Sequence, residues 1–192
     1  MLLHRTQELP HLVGLRLAVM GLDAEADWDG LMPKDVVTAG DALQDEAERF
    51  QQRIRDLKSK VDVVIVQVQS GTEDTHAPSP RSIKALRAAA DAGADLVVGN
   101  QAHWVQGVEV RDERFIAYAL GNFIFDQVHT VEHTQGYLVQ ATYTEKKLVN
   151  VRLVPYQIAN QFKPTFADAT VRNKIETDVF KAAAKLPATT PP

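Results

Sequence analysis

No cysteine occurs among the 192 residues. A disulfide framework, a thiolate zinc site and a thiol nucleophile are therefore excluded, while the compartment stays open. Long apolar runs are missing too: Val63 to Val66 is typical, far short of the roughly 20 residues that span a bilayer, so no transmembrane helix is expected. Positive charge is not in excess. There are 21 Lys and Arg against 25 Asp and Glu, a formal net charge of -4, and the basic residues are scattered rather than gathered in a stripe, so nucleic acid is not an expected partner. Three catalytic signatures are also absent: no Gly-x-Ser-x-Gly elbow, no Gly-Lys-Ser/Thr phosphate loop and no Gly-x-Gly-x-x-Gly. The first residues, Met1 to Gln7, lead into charge and proline instead of the apolar stretch of an export signal.

What the chain does contain is the material of one folded domain. Hydrophobic residues make up 45% and charged residues 24%, enough apolar content for a sizeable core. Leu15 to Leu22 reads as a short buried strand closed by an acidic loop with Asp23, Glu25, Asp27 and Asp29. Leu43, Ala47, Phe50, Ile54, Leu57 and Val61 recur at spacings of four and three, the stripe of an amphipathic helix. Val61 to Val68 is a valine-rich strand of the kind buried on both faces of a parallel sheet. Ser79 and Pro80 open a second helix, which Gly93 ends, and Leu96 to Gly99 is the next strand. Strand, helix, strand, helix, strand predicts parallel pairing through right-handed crossovers.

Beyond residue 104 the pattern changes. Trp104 to Val110, Phe115 to Leu120, Gly136 to Thr144 and Leu148 to Ile158 read as strands, and the short loops at 111–114 and 145–147 suit hairpins, so this part is expected to be antiparallel. Tyr137, Val139, Ala141 and Tyr143 alternate with polar residues, which predicts one buried and one wet face. Val171 to Leu186 reads as a terminal helix and 187–192 as a frayed tail.

Two runs carry the chemistry: Asp95-Leu-Val-Val-Gly-Asn-Gln-Ala-His-Trp-Val-Gln106 and Ile116-Ala-Tyr-Ala-Leu-Gly-Asn-Phe-Ile-Phe-Asp-Gln127. They resemble the C-terminal half of the CapA proteins, the poly-gamma-glutamate capsule biosynthesis family with the fold of the calcineurin-like metallophosphoesterases. In that family a strand ends in Gly-x-His-Pro-His. Here the stretch is Gly99-Asn100-Gln101-Ala102-His103, which keeps the second histidine and replaces the first by Gln101, an amide that binds divalent metals poorly compared with imidazole. The family's His-Trp-Gly reads here as Gln69-Ser70-Gly71, with Glu73 matching an acid that follows. Leu120 to Gln127 departs little from the family pattern.

The resemblance implies an α/β fold, part of an α/β/β/α sandwich with parallel βαβ units followed by antiparallel strands. It runs from about residue 15 to 165, leaving 1–14 as leader or linker, 166–186 as a terminal helix and 187–192 as a disordered tail. The family's Asp-x-His, Gly-Asp-x-x-Asp and Gly-Asn-His motifs do not occur before Gly71, so the expected partner is a missing N-terminal half or another chain. The implied cofactor is a divalent metal (Mn, Fe or Zn), with His103 as a ligand, and the implied substrate is an anionic polymer or phosphoester. The implied location is extracytoplasmic, at the cell surface or membrane-associated. Gln69, Glu73, Asn100, Gln101, Asn122 and Asp126 are the residues expected to face substrate.

The residues themselves leave alternatives open. A metal on His103 alone would be weak, because stable sites use three or four protein ligands. Gln69, Asn100 and Gln101 suit a hydrogen-bonded network at adjacent strand ends better than a cation. Glu73 also reads as a solvated loop carboxylate, and Asp126 needs a partner if it is buried. His129 and His133 lie in a polar connector and read as loop residues. Trp28 and Trp104 adjoin ligand-facing loops, although core packing suits Trp104. The competing classes are a metal-dependent hydrolase that is incomplete in this chain, a polymer- or carbohydrate-binding module, and an assembly domain.

Overall fold

The computed structural model of the chain describes the backbone of residues 17–23 and 39–188, with side chains from residue 47 onward. In chain order the elements are β1 (Leu17–Asp23), α1 (Ala39–Lys58), β2 (Val63–Gln69), α2 (Pro80–Asp91), β3 (Leu96–Asn100), β4 (Val108–Arg111), β5 (Arg114–Ala117), β6 (Gln135–Thr144), β7 (Lys147–Ala159), β8 (Lys163–Phe166) and α3 (Ala169–Ala183). A single 3₁₀ turn, Glu132–Thr134, precedes β6. The expected leader, the acidic loop beyond Asp23, Trp28 and the last four residues lie outside the described residues.

Two sheets form. The larger has the order β1-β2-β3-β5-β4, in which β1, β2, β3 and β5 run parallel and β4 is antiparallel to β5. The smaller is the antiparallel β6-β7-β8. Alternation along the central strands divides their side chains between two cores. Val64, Val66, Val68, Val97 and Ile116 pack with Ile54 of α1 and with Leu86, Ala89 and Ala90 of α2. Ile65, Leu96, Val98, Phe115 and Ala117 face the other way, onto Tyr137 of β6 and onto Ile175 and Val179 of α3. The result is the expected α/β class, with a helical layer, a mixed sheet and a second sheet stacked in turn.

Local chemistry accounts for the element ends. Ser79 caps α2 by accepting from the Ser82 backbone N–H at 3.1 Å, with Pro80 in the first turn. Asp168 caps α3 in the same way, accepting from the Val171 backbone N–H. The hairpin tips Asp112-Glu113 and Glu145-Lys146 all take positive φ, the two-residue geometry that matches the strand twist.

The latter half departs from expectation in three places. Residues 104–107 are a loop crossed by one bridge, Val105 to Leu120, and the strand starts only at Val108. β5 is not confined to antiparallel pairing: Phe115 and Ala117 enter one core and Ile116 the other, so the strand belongs inside the sheet and slots parallel to β3. β8 was not expected at all. It is four mostly exposed residues with a proline, and its pairing with the end of β7 defines it rather than any apolar pattern. Toward the end of the chain, Leu186 packs against the first core and the Pro187 carbonyl accepts from Arg87 at 2.8 Å, so the predicted tail is anchored at its start.

At the edge where the parallel strands begin, one carboxylate ties three elements together. Asp95 accepts from Lys58 of α1 at 2.8 and 2.7 Å and from the Val64 backbone N–H of β2 at 2.7 Å, while its own backbone precedes β3. Asp95→Ala should lower the unfolding free energy by about 2–3 kcal/mol, read by urea denaturation, because charge-assisted bonds to both partners are lost. Tyr137 offers the opposite case. It is fully buried, and its hydroxyl has no hydrogen-bonding partner among the described residues. Burial therefore pushes the phenol above its ordinary pKa. Tyr137→Phe should be neutral or stabilise by up to about 1 kcal/mol in the same measurement, since it removes an unsatisfied polar group at constant shape.

Candidate functional site

The parallel strands β1, β2 and β3 end in one row. Asp23, Gln69 and Asn100 are register partners at the carboxyl edge of the large sheet, the edge where open α/β sheets place ligands. Three segments gather there: 70–79 after β2, 101–107 after β3, and 118–134 after β5.

The turn after β3 is the least relaxed backbone in the region. Gln101 has φ of 92° and His103 has φ of 59°, while Asp74 on the facing loop has φ of 57°. Such conformations cost on the order of 1–3 kcal/mol each for non-glycine residues and persist only where surroundings over-determine them. Ala102 supplies that constraint. Its side chain is fully buried and its carbonyl accepts from the Asp74 backbone N–H at 3.0 Å, which leaves Gln101 and His103 on either side at the surface of the site.

A hydrogen-bonded chain then crosses the strand tips. Gln69 Nε2 donates to Gln101 Oε1 at 2.7 Å, and Gln101 Nε2 donates to Glu73 Oε1 at 3.1 Å. The same Glu73 oxygen lies 3.7 Å from His103 Nε2. On the other side of the ring, His103 Nδ1 is 2.8 Å from Asn122 Oδ1. Phe125 stacks on the imidazole with centroids 5.5 Å apart. Asn122 itself is buried, its Nδ2 donating to the His133 carbonyl at 3.1 Å and its own carbonyl accepting from Tyr156 Oη at 2.6 Å.

Five of the residues expected at the site, Gln69, Glu73, Gln101, His103 and Asn122, thus join in one network. Two do not. Asn100 sits at the strand tip, but its Oδ1 has no partner among the described residues, and Asp126 is exposed to solvent, where its carboxylate requires no partner. Asn122 directs its amide inward, to His103 and His133, instead of outward.

His133 corrects the sequence reading most sharply. Rather than a loop residue, it is 3% exposed, with Nε2 2.8 Å from Asp74 Oδ1 and Nδ1 receiving the Trp104 indole N–H at 3.4 Å. The 3₁₀ turn carries it inward, and Lys174 of α3 clamps that turn through Glu132 at 3.2 Å. Burial opposes ionisation of Glu132, yet its backbone N–H and Lys174 outweigh burial and hold the carboxyl below its ordinary pKa. Nothing in the polar connector 128–134 signals this, because a 3₁₀ turn of three residues has no apolar period to read. His129, by contrast, is exposed as expected, with its ring 5.1 Å from that of His133.

The donor set can be weighed against the divalent metal that the resemblance implies. His103 Nε2 faces the Glu73 carboxylate and His133 Nε2 faces Asp74, each as a separate pair, and no group of three or more His, Asp or Glu suited to a metal ion occurs among the described residues. The amides Gln69 and Gln101 at the strand tips are bonded to each other. A pair of donors falls short of the three or four that a stable site requires, so neither pair of described residues fits a metal centre by itself.

The chain is 32% identical over 128 residues to a capsule biosynthesis protein CapA of Bacillus anthracis, covering 67% of this chain and 31% of the relative. It is 36% identical over 107 residues to a PGA biosynthesis protein CapA of Bacillus subtilis (strain 168), covering 56% of this chain and 25% of that relative. The matched stretch therefore spans about a third or less of these curated relatives. The family model of the bacterial capsule synthesis protein PGA_cap matches residues 9–127, which takes in β1 to β5, the strand-tip amides, His103 and Asn122, and the chain belongs to that family.

Proposed function

We propose that this chain supplies the C-terminal part of a capsule-biosynthesis protein acting on poly-gamma-glutamate or a related anionic polymer at the bacterial surface. Its strand-tip site is inactive until further residues complete it. The observation that carries this reading is the Gln69–Gln101–Glu73 chain of hydrogen bonds beside the His103 imidazole. Relatives of three to four times the matched length, whose names refer to capsule or PGA biosynthesis, support the substrate class and the need for more chain. Their names also support surface localisation, and no described helix is long and apolar enough to cross a membrane.

Metal-dependent phosphoester hydrolysis is the activity that the family's fold suggests for the complete protein. A bound metal would supply Lewis-acid polarisation and an activated water. Within this chain, His103 and Glu73 offer donors, and Ala102 holds the backbone that presents His103.

The second reading is a non-catalytic module that binds polymer or carbohydrate or serves assembly. One feature favours it: the amides bond one another and Glu73 without any cation, as on a polar surface suited to a hydrogen-bonding ligand.

Elemental analysis of the purified chain separates these readings. The chain alone should carry far less than stoichiometric Mn, Fe or Zn and should not cleave a chromogenic phosphodiester, whereas addition of an upstream segment bearing the absent motifs should raise both. Gln69→His with Gln101→His should tighten Zn binding, because imidazoles then join His103 Nε2 and Glu73. Stoichiometric metal in the unmodified chain would overturn the incomplete-site reading. Metal-free protein that retains poly-gamma-glutamate binding in the presence of the upstream segment would favour the module.

A further inference from the structure

The orientation of Asn122 follows from the surrounding atoms without appeal to hydrogens. A backbone carbonyl can only accept, so the amide atom 3.1 Å from the His133 oxygen must be Nδ2. That places Oδ1, which also can only accept, 2.8 Å from His103 Nδ1. The imidazole must then carry its proton on Nδ1, and in the neutral ring Nε2 keeps a lone pair. That nitrogen faces the Glu73 carboxylate, 3.7 Å away.

Asn122 is held from a third side. Tyr156 of β7 donates to its backbone carbonyl at 2.6 Å, and the phenol reaches that point across Gly136. A Cβ on residue 136 would stand 2.2 Å from the Tyr156 hydroxyl. Gly121, just before Asn122, has φ of 82°, and a Cβ there would lie 2.3 Å from the Gln135 carbonyl. Two glycines thus let the second sheet approach closely enough to grip the residue that grips the imidazole.

We propose that Asn122 is a positioning residue that locks His103 in the Nδ1–H tautomer, with Tyr156 of the second sheet holding Asn122 in place. The exposed edge of the site, His103 Nε2 with Glu73 Oε1, is then an acceptor pair in the neutral state. The group it receives is electropositive: an O–H or N–H donor of a ligand, or a cation supplied with additional ligands. Only this use of the edge rests on the proposed function; the tautomer lock stands on the hydrogen bonds alone.

The test is a long-range ¹H–¹⁵N correlation spectrum of the full chain with ¹⁵N-labelled histidine, free of metal and substrate, at about pH 8.5, where imidazoles are neutral. His103 should show the Nδ1–H form as its majority tautomer. Free imidazole side chains favour Nε2–H, so Asn122→Leu should lose that majority while the His129 and His76 signals stay in place. Tyr156→Phe, which removes one hydroxyl, should lower the Nδ1–H fraction without abolishing it. A wild-type His103 in the Nε2–H form overturns the proposal even if Asn122→Leu fails to fold, and an unchanged tautomer in a folded Asn122→Leu does so as well. An unchanged tautomer in Tyr156→Phe overturns the part assigned to the second sheet. Because no metal or hydrolysis enters the measurement, its failure leaves the proposed function to be judged on the metal analysis.

Discussion

Val64, Val66 and Val68 point toward the helices while Ile65 points toward the second sheet, and this two-way division recurs in β3 and β5. It is the constraint from which the rest of the architecture follows. A strand whose alternate residues are all apolar cannot leave either face to water, so helices must cover one side and β6, β7 and α3 the other. Where both faces are packed, as in β3 and β5, register is fixed, since a slip of one residue would exchange the two cores. Fixed register in turn brings Asp23, Gln69 and Asn100 level at one edge, which makes that edge a place where side chains from distant parts of the sequence meet.

At that edge the chain accepts backbone strain in order to hold a shape. Ala102 is buried, and Gln101 and His103 take positive φ on either side of it. The electrostatics of the resulting surface are restrained. Two amides, Gln69 and Gln101, stand at the strand tips, and amides can donate to one another and to Glu73 without requiring a counter-charge. The amide hydrogen bonds therefore form without an ion, while the edge of His103 Nε2 and Glu73 Oε1 is left as an acceptor pair. The His133–Asp74 pair forms a second polar layer behind the first, connected to it through Asn122.

The parallel half of the fold was legible because its signals are periodic and local. Valine runs, the helical stripe through Ile54 and the Ser79-Pro80 cap each state their element within a few residues. Alternation from Tyr137 to Tyr143 likewise announced β6 and its buried face, and the short charged loops announced two hairpins. Where signals are tertiary the reading failed or fell short. β8 exists only because β7 offers it an edge, β5 is parallel to β3 because both its faces are needed in the interior, and residues 104–107 read as strand but pair at a single bridge.

The division at the site has the same cause. The sequence by itself determined the family likeness, the α/β class and the presence of amides at positions 69 and 101, because motif and residue type are properties of consecutive positions. Only the tertiary structure decided that Gln69 bonds Gln101 across two strands, that Asn122 turns inward to set the His103 ring, and that His133 is buried against Asp74. Those contacts join residues 11 to 59 positions apart in the chain. Hydrogen bonds of this reach depend on the register of packed strands and on the close approach of two sheets, neither of which leaves a mark on the residues next in line.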